Sequence, residues 1–498
     1  MSRASLARPG AALRAVNWAG AARIALVGAA AAAVVQVTTT QSFGLDLAAA
    51  VGDDAAPVTA TALTTRVSQA CPGAELSGIS GVPDQEVPAT VTAVAGPVEL
   101  LPAAAPAGGS LAVSADGREV LSLDGRPRTA TVPLPQTGPV LVLADGGLAP
   151  AVAAAQEWRL DTKELRGLAS APCGPGSTDQ WLLAGGAGPG RQERLVLSNP
   201  GANPVTAAVA VHGTSGPLGD PVVQTVAPGG RASLLLDART GSEERPAVHV
   251  TTDGAGVQAT LTDTWVDGLT ALGAETTGAA AAPSTTQVLP GVVLGTGAST
   301  LRVVAPGEQG AVVRVDVLAR DGFAEPTGDT VVSVEPGAVA ELPITGLPEG
   351  VYGVVLRSDV PVVGAVLSRV GDGTVPGEIA WSPSTEALIA TGGAALPVTP
   401  GVGRNLQLVS TDGSSTAELT TVVGGVASTR VVSLLSERTT TVSLDGATSV
   451  WVRKTSGTGQ LRGSVLASWG AGATRMLSSA PMRDSAVSSA VSRAFPLP

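Results

Sequence analysis

The sequence predicts an all-β protein: tandem immunoglobulin-like β-sandwich domains following an N-terminal membrane segment. Three observations lead there. A unit running from Arg194 to Trp265 recurs roughly every 105 residues along the chain. Within it, short Val/Leu/Thr stretches alternate with polar residues and are separated by Gly/Pro turns about every 8 to 12 residues, the punctuation of a sandwich. The chain also holds 63 Gly but only three Phe and one Tyr, so its cores are built from many small branched side chains. Ala-rich windows invite a helical reading, but the period-two patterning and frequent Gly and Pro oppose it. A chain of 498 residues has room for three or four such domains. A unit this long encloses its own core, unlike a short solenoid repeat.

At the N-terminus, Arg3, Arg8, Arg14 and Arg23 precede an uncharged run from Ile24 to Leu45. The strongly apolar part, Ile24 to Val35, has the length of a signal h-region, and the whole run is long enough to cross a bilayer. The arginine flank places residues 1–50 as a cytoplasmic tail and signal-anchor, with the bulk of the chain exported. Ala48-Ala49-Ala50 offers small residues for cleavage but lies far beyond the apolar run. A retained single-pass anchor is therefore expected over a cleaved signal.

Residues 51–180 form a divergent first domain. Leu111 to Ser114 leads through Asp116-Gly117 into Val120 to Leu123, followed by Asp124-Gly125. Both Asp-Gly pairs are hairpin signals. The runs Val140–Leu143 and Ala151–Trp158 close the domain.

Residues 181–276 form the second domain. Leu195 to Ser198 is closed by Asn199-Pro200-Gly201, alternation follows at Val205, Ala207, Val209 and Val211, and the last strand ends near Trp265. In the third, 286–385, Leu301 to Val304 before Ala305-Pro306-Gly307 repeats this opening. Val351 to Leu356 then leads through Ser358-Asp359 to Val362–Leu367. The fourth, 396–498, repeats the order from Leu406 to Trp469 and ends in a C-terminal tail. Trp158, Trp265 and Trp469 end corresponding strands, at intervals of 107 (265 − 158) and 204 (469 − 265) residues, the second close to twice the first.

Cys71 and Cys173 are the two cysteines and flank the first domain. In an exported chain they are expected to form one disulfide, with two free thiols or a linked dimer as alternatives. The formal charge of −11 argues against a nucleic-acid partner.

No catalytic, cofactor or metal constellation emerges. His212 and His249 have no neighbouring Cys or closely spaced acid pair for zinc, and read as strand residues. The Gly213-Thr214-Ser215-Gly216 stretch is not a nucleophile elbow. Acid pairs such as Asp84 with Glu86 and Asp316 with Asp321 are expected by number alone in a chain with 41 acids. The Gly185–Gly190 run lacks the Lys-Ser/Thr of a phosphate loop and suits a domain connection. Trp181, Trp381 and Trp451 remain as candidate ligand platforms if exposed, or as core residues if not.

The Arg-flanked anchor, Cys71-Pro72-Gly73, Cys173, and Trp181-Leu182-Leu183-Ala184-Gly185-Gly186 ahead of Leu195–Gly201 together resemble an actinobacterial membrane-anchored secreted family of unknown function. Trp381-Ser382-Pro383 is similar to a later connection of that family. Its members are sometimes labelled large extracellular alpha-helical proteins, which the β pattern here opposes. Leu182 stands where members usually carry an aromatic. The resemblance implies a cell-envelope setting, since members tend to lie near envelope glycosyltransferase genes, and supplies no catalytic residue. The expected function is a non-catalytic extracytoplasmic scaffold or interaction protein, not an enzyme, with an array of cell-wall glycan-binding modules as the alternative. Its partner would be an envelope protein or glycan.

Overall fold

In the first domain, strand Gly109–Ala115 turns back into Arg118–Leu123 through Asp116 and Gly117, both at positive φ (51° and 72°). This is the tight turn that an Asp-Gly pair favours. The computed structural model describes residues 60–491 apart from 74–75, 77, 80–86, 103–106, 135–137 and 372–375. The expected membrane segment at 24–45 lies outside the described residues. Among those described, no helix is long and apolar enough to cross a membrane.

Counting the eight-stranded sheet as two groups that share Gly350–Val370, the strands within residues 66–484 form eight four- or five-stranded groups that repeat one topology four times. In each copy the first, sixth, third and fourth strands make one sheet, and the fifth, second, seventh and eighth make the other. In copy one these are Arg66–Cys71, Val140–Gly146, Gly109–Ala115 and Arg118–Leu123, against Arg128–Pro133, Ala89–Ala95, Val152–Asp161 and Arg166–Pro172. Copy two pairs Asp179–Leu182, Ala247–Thr252, Val205–Gly213 and the split edge Gly216–Pro217 and Val222–Val226. Its second sheet is Arg231–Leu235, Arg191–Ser198, Gln258–Asp267 and Thr270–Gly278. Copies three and four follow the same order from Ser284–Leu294 to Glu378–Pro383 and from Thr391–Ala395 to Met476–Pro481.

This pairing departs from the seven-strand immunoglobulin order, in which the sixth and seventh strands are neighbours in one sheet. Here the sixth and seventh strands lie in different sheets. Copy three shows why: Gly350–Val370 is one continuous strand whose pairing changes sheet between Ser358 and Val363. Asp124-Gly125 likewise joins strands of two sheets and is a crossing, not a hairpin.

Both sheets of a copy contribute to one core. In copy one, Val91 and Ala93 from one sheet meet Leu111, Val113 and Val142 from the other. The alternation at Val205, Ala207, Val209 and Val211 turns those side chains inward, leaving Thr206, Ala208 and Ala210 half-buried. Cys71 and Cys173 are joined by the expected disulfide (S–S 2.03 Å) within this first core.

The eighth strands do not alternate. Glu378–Pro383 is buried throughout, and Arg166–Pro172, Thr270–Gly278 and Met476–Pro481 nearly so. Both faces are covered because these strands pack on one another: first on second, second on third, third on fourth, and fourth back on first. Ala62–Ser489 is accordingly one compact unit. The core of copy two runs on into Val304, Val363 and Trp381 of copy three. Small residues permit the approach. A Cβ on Gly167 would sit 2.0 Å from the Ala274 carbonyl oxygen, and one on Gly273 would sit 2.4 Å from the Ile379 nitrogen.

Candidate functional site at the junction of the four copies

Trp181, Trp381 and Trp451 are all buried, at 3%, 0% and 0% exposure. As placed, none presents a face to a ligand, so the platform expectation does not describe them. In a chain short of aromatics, these indoles pack in the interior, two of them where copies meet. Trp181 stacks on His249 (centroids 4.2 Å) and lies 4.9 Å from His212. His212 Nδ1 is 2.7 Å from the Gly337 oxygen of copy three, and burial holds the imidazole below its ordinary pKa. Trp451 packs with Val94 and Ala153 of copy one, against Gly96. Trp381 donates its indole N–H to Asp263 Oδ2 of copy two at 2.8 Å, beneath the Arg302 guanidinium 4.8 Å away.

The eighth strands carry a polar centre that draws on all four copies. Glu275 of copy two accepts from the Trp381 backbone N–H of copy three and, at 2.8 Å, from Ser478 Oγ of copy four. Ser478 Oγ in turn accepts from the Ser170 N–H of copy one at 2.9 Å. Glu378 lies on the adjacent strand and accepts from the Ile379 N–H. Burial drives both carboxyls well above the ordinary range, and the nearby Glu275 adds to the effect on Glu378. Burial disfavours the charged form of a carboxyl. Arg166 of copy one donates to Gly377 and Thr474 oxygens of copies three and four, and pairs with Asp161 at 3.1 Å.

Around this centre, ion pairs fasten neighbours. Asp263 is fully buried, yet lies below its ordinary pKa. Burial alone would raise it, but Arg191 at 2.6 Å, the Trp381 indole and the Gly185 N–H together outweigh that. Arg302 of copy three reaches into copy two, where its guanidinium donates to the oxygens of Ala184, Gly185, Glu244 and Pro246 while pairing with Glu341 at 2.8 Å. The Gly-rich run after Trp181 is thus the seat of an arginine: a Cβ on Gly185 would lie 2.2 Å from Glu193 Cγ. Arg404 of copy four pairs with Glu157 of copy one at 2.6 Å to Oε2. Arg357 of copy three pairs with Glu437 of copy four at 2.9 Å.

Such an arrangement binds copy to copy. Among the described residues no group of three or more His, Cys, Asp or Glu is placed to hold a metal ion. Sequence reasoning passed over Arg302, Asp263, Glu275, Glu378 and Arg404. Their one signal was a charge set among apolar or small neighbours, as in Leu301-Arg302-Val303 and Ala274-Glu275-Thr276.

Residues 126–445 match the model of a family of unknown function, DUF5719. The chain belongs to that family. The match covers more than half its length and spans the end of copy one through most of copy four. A comparison with curated proteins found no match. In this DUF5719 chain the copy-two and copy-three anchors, Asp263, Glu275, Arg302 and Trp381, all fall inside the matched span, while Ser170 of copy one falls inside it and Ser478 of copy four outside.

Proposed function

We propose that the protein is a non-catalytic extracytoplasmic scaffold of the actinobacterial cell envelope, held at the membrane by the segment at 24–45 and engaging an envelope protein. In this reading each copy is a β-sandwich, and the four act as one rigid platform. The observation that carries the proposal is the division of labour between inside and outside. Buried charges are spent on joining copies, whereas the outer edge strands carry exposed apolar residues such as Val223, Phe323, Val331, Val426 and Val431. Strand Val426–Leu434 closes its sheet with one unpaired side. An exposed edge of this kind is a template for strand addition by a partner. The Cys71–Cys173 bond supports export to an oxidising compartment. Glycan binding through Trp181, Trp381 or Trp451 has less support, since all three are buried.

The test is photo-crosslinking in cells from a photoreactive residue at Val431 of the full chain. A discrete adduct with an envelope protein, lost when Val426 is changed to Lys, is expected. Smeared or absent adducts, or export failure revealed by protease resistance in intact cells, would oppose the reading.

A further inference from the structure

The eighth strands meet in a closed circuit of copies, and the chain itself crosses three of the four junctions. At each of these three, the segment after the eighth strand first runs along the opening strand of its own copy. Gly174 exchanges backbone bonds with Ala70 at 3.0 and 2.8 Å. The Ala280 N–H donates to the Trp181 oxygen at 2.9 Å, and the Thr385 N–H to the Val288 oxygen at 2.9 Å. The chain then enters the next copy. Two of the links touch that copy where its seventh strand begins: Ser177 exchanges bonds with Val257, and the Leu388 N–H donates to the Leu461 oxygen at 2.8 Å.

The junction of copy four with copy one has no peptide link of its own, yet the segment after copy four follows the same course. Arg483 and Asp484 pair with Gly393 and Gly392 of the opening strand, and the Ser485 N–H donates to the Thr391 oxygen at 2.8 Å. The segment then passes to copy one. The Ala486 oxygen accepts the Ala151 N–H at 3.2 Å, just ahead of strand Val152–Asp161, and Ser485 Oγ lies 3.4 Å from the Val152 oxygen. The Val487 oxygen accepts the Thr64 N–H at 3.1 Å, two residues before strand Arg66–Cys71. Val487 also packs on the small cluster that Val94 and Ala153 of copy one share with Trp451 of copy four. Residues 485–487 thus occupy on copy one the place that a covalent link occupies on the next copy elsewhere. A peptide link cannot leave, whereas a segment held by a few backbone bonds opens locally at modest cost.

We propose that residues 485–488 are a releasable strap that closes the circuit at its one non-covalent junction. Its release opens the seam between copies one and four and bares the apolar cluster around Trp451, while the three linked junctions stay shut. The strap sets the balance between a closed and an opened assembly.

Two amides report on two junctions without touching the strap. The Ser170 N–H donates to Ser478 Oγ across the seam at 2.9 Å, and the Trp381 N–H donates to Glu275 between copies three and two. Hydrogen exchange of the full chain is compared with that of a chain stopped after Asp484, and with that of Ser485→Pro, which deletes the N–H donated to Thr391. Three backbone bonds at roughly fivefold each predict that exchange at Ser170 rises by about tenfold or more in the stopped chain. Ser485→Pro is expected to raise it by about fivefold, and Trp381 exchange is expected to stay unchanged in both. Unchanged exchange at Ser170, or an equal rise at Ser170 and Trp381, would overturn the proposal. Should the stopped chain fail to fold, Ser485→Pro decides by the same two outcomes.

Discussion

Glu193 gives the buried charges a pH signature. It lies on strand Arg191–Ser198, 2% exposed, accepting the Gly186 N–H on Oε1 and lying 3.4 Å from Thr240 Oγ1 on Oε2. Burial raises its carboxyl from 4.5 to about 7; Asp263 and Asp237 push the same way, against Gly186 and Arg191. The folded protein therefore holds a proton that the unfolded chain releases above pH 4.5. This contribution to stability is fully present below the unfolded pKa and is lost as pH rises through the folded one. A shift of 2.5 (7 − 4.5) at 1.36 kcal/mol per unit makes the loss about 3 kcal/mol. Glu193→Gln, neutral at every pH and similar in shape, removes that loss. Urea unfolding followed by tryptophan fluorescence at pH 4 and pH 8 measures it. The variant should be close to wild type at the lower pH and more stable by about 3 kcal/mol at the higher. A variant-minus-wild-type difference that stays constant with pH would refute the assignment.

Three further perturbations probe the packing. Gly167→Ala places a methyl against the Ala274 carbonyl oxygen, and calorimetry should find a loss of about 1–3 kcal/mol, the usual cost of overpacking. Trp381→Phe leaves the buried Asp263 carboxylate without its indole donor, so thermal unfolding should show a loss of about 3 kcal/mol or more from the missing bond and the lost volume. Replacing Cys71 and Cys173 together with Ser opens a loop closed across 102 residues, and chain entropy sets an upper bound of about 4.7 kcal/mol. Non-reducing peptide mapping should recover the linked peptides, and freely alkylated thiols in exported protein would exclude the bond.

Much of the β architecture was legible because it obeys local rules. Val205, Ala207, Val209 and Val211 alternate on a half-buried strand, Asp116-Gly117 turns where its conformational freedom is needed, and the tryptophan spacing follows the repeat. Export and the lack of a rival thiol pointed to the disulfide. The eighth strands were missed. Segments such as Gly167-Leu168-Ala169-Ser170 lack β-branched residues and are buried on both faces between copies, so they carry no period-two alternation. The range 277–285, left between the second and third domains by the bounds read from the sequence, contains both the end of Thr270–Gly278 and the start of Ser284–Leu294. The tryptophans left two readings open for a related reason: where nearly every other side chain is small, a large one marks an interface as readily as a ligand site. Closure of the fourth copy onto the first left no local trace, since Glu157 and Arg404 are 247 residues apart.

That closure is tested most directly by a double-mutant cycle on Glu157 and Arg404, whose side chains are 0% and 8% exposed. Glu157→Gln, Arg404→Gln and the double variant are compared with wild type by urea unfolding. If copies one and four are joined, each single change strands a buried charge and costs about 3–5 kcal/mol, while the double variant costs far less than the sum. A coupling energy of about 2 kcal/mol or more is the predicted result. Additive effects, with coupling near zero, would contradict the joined assembly.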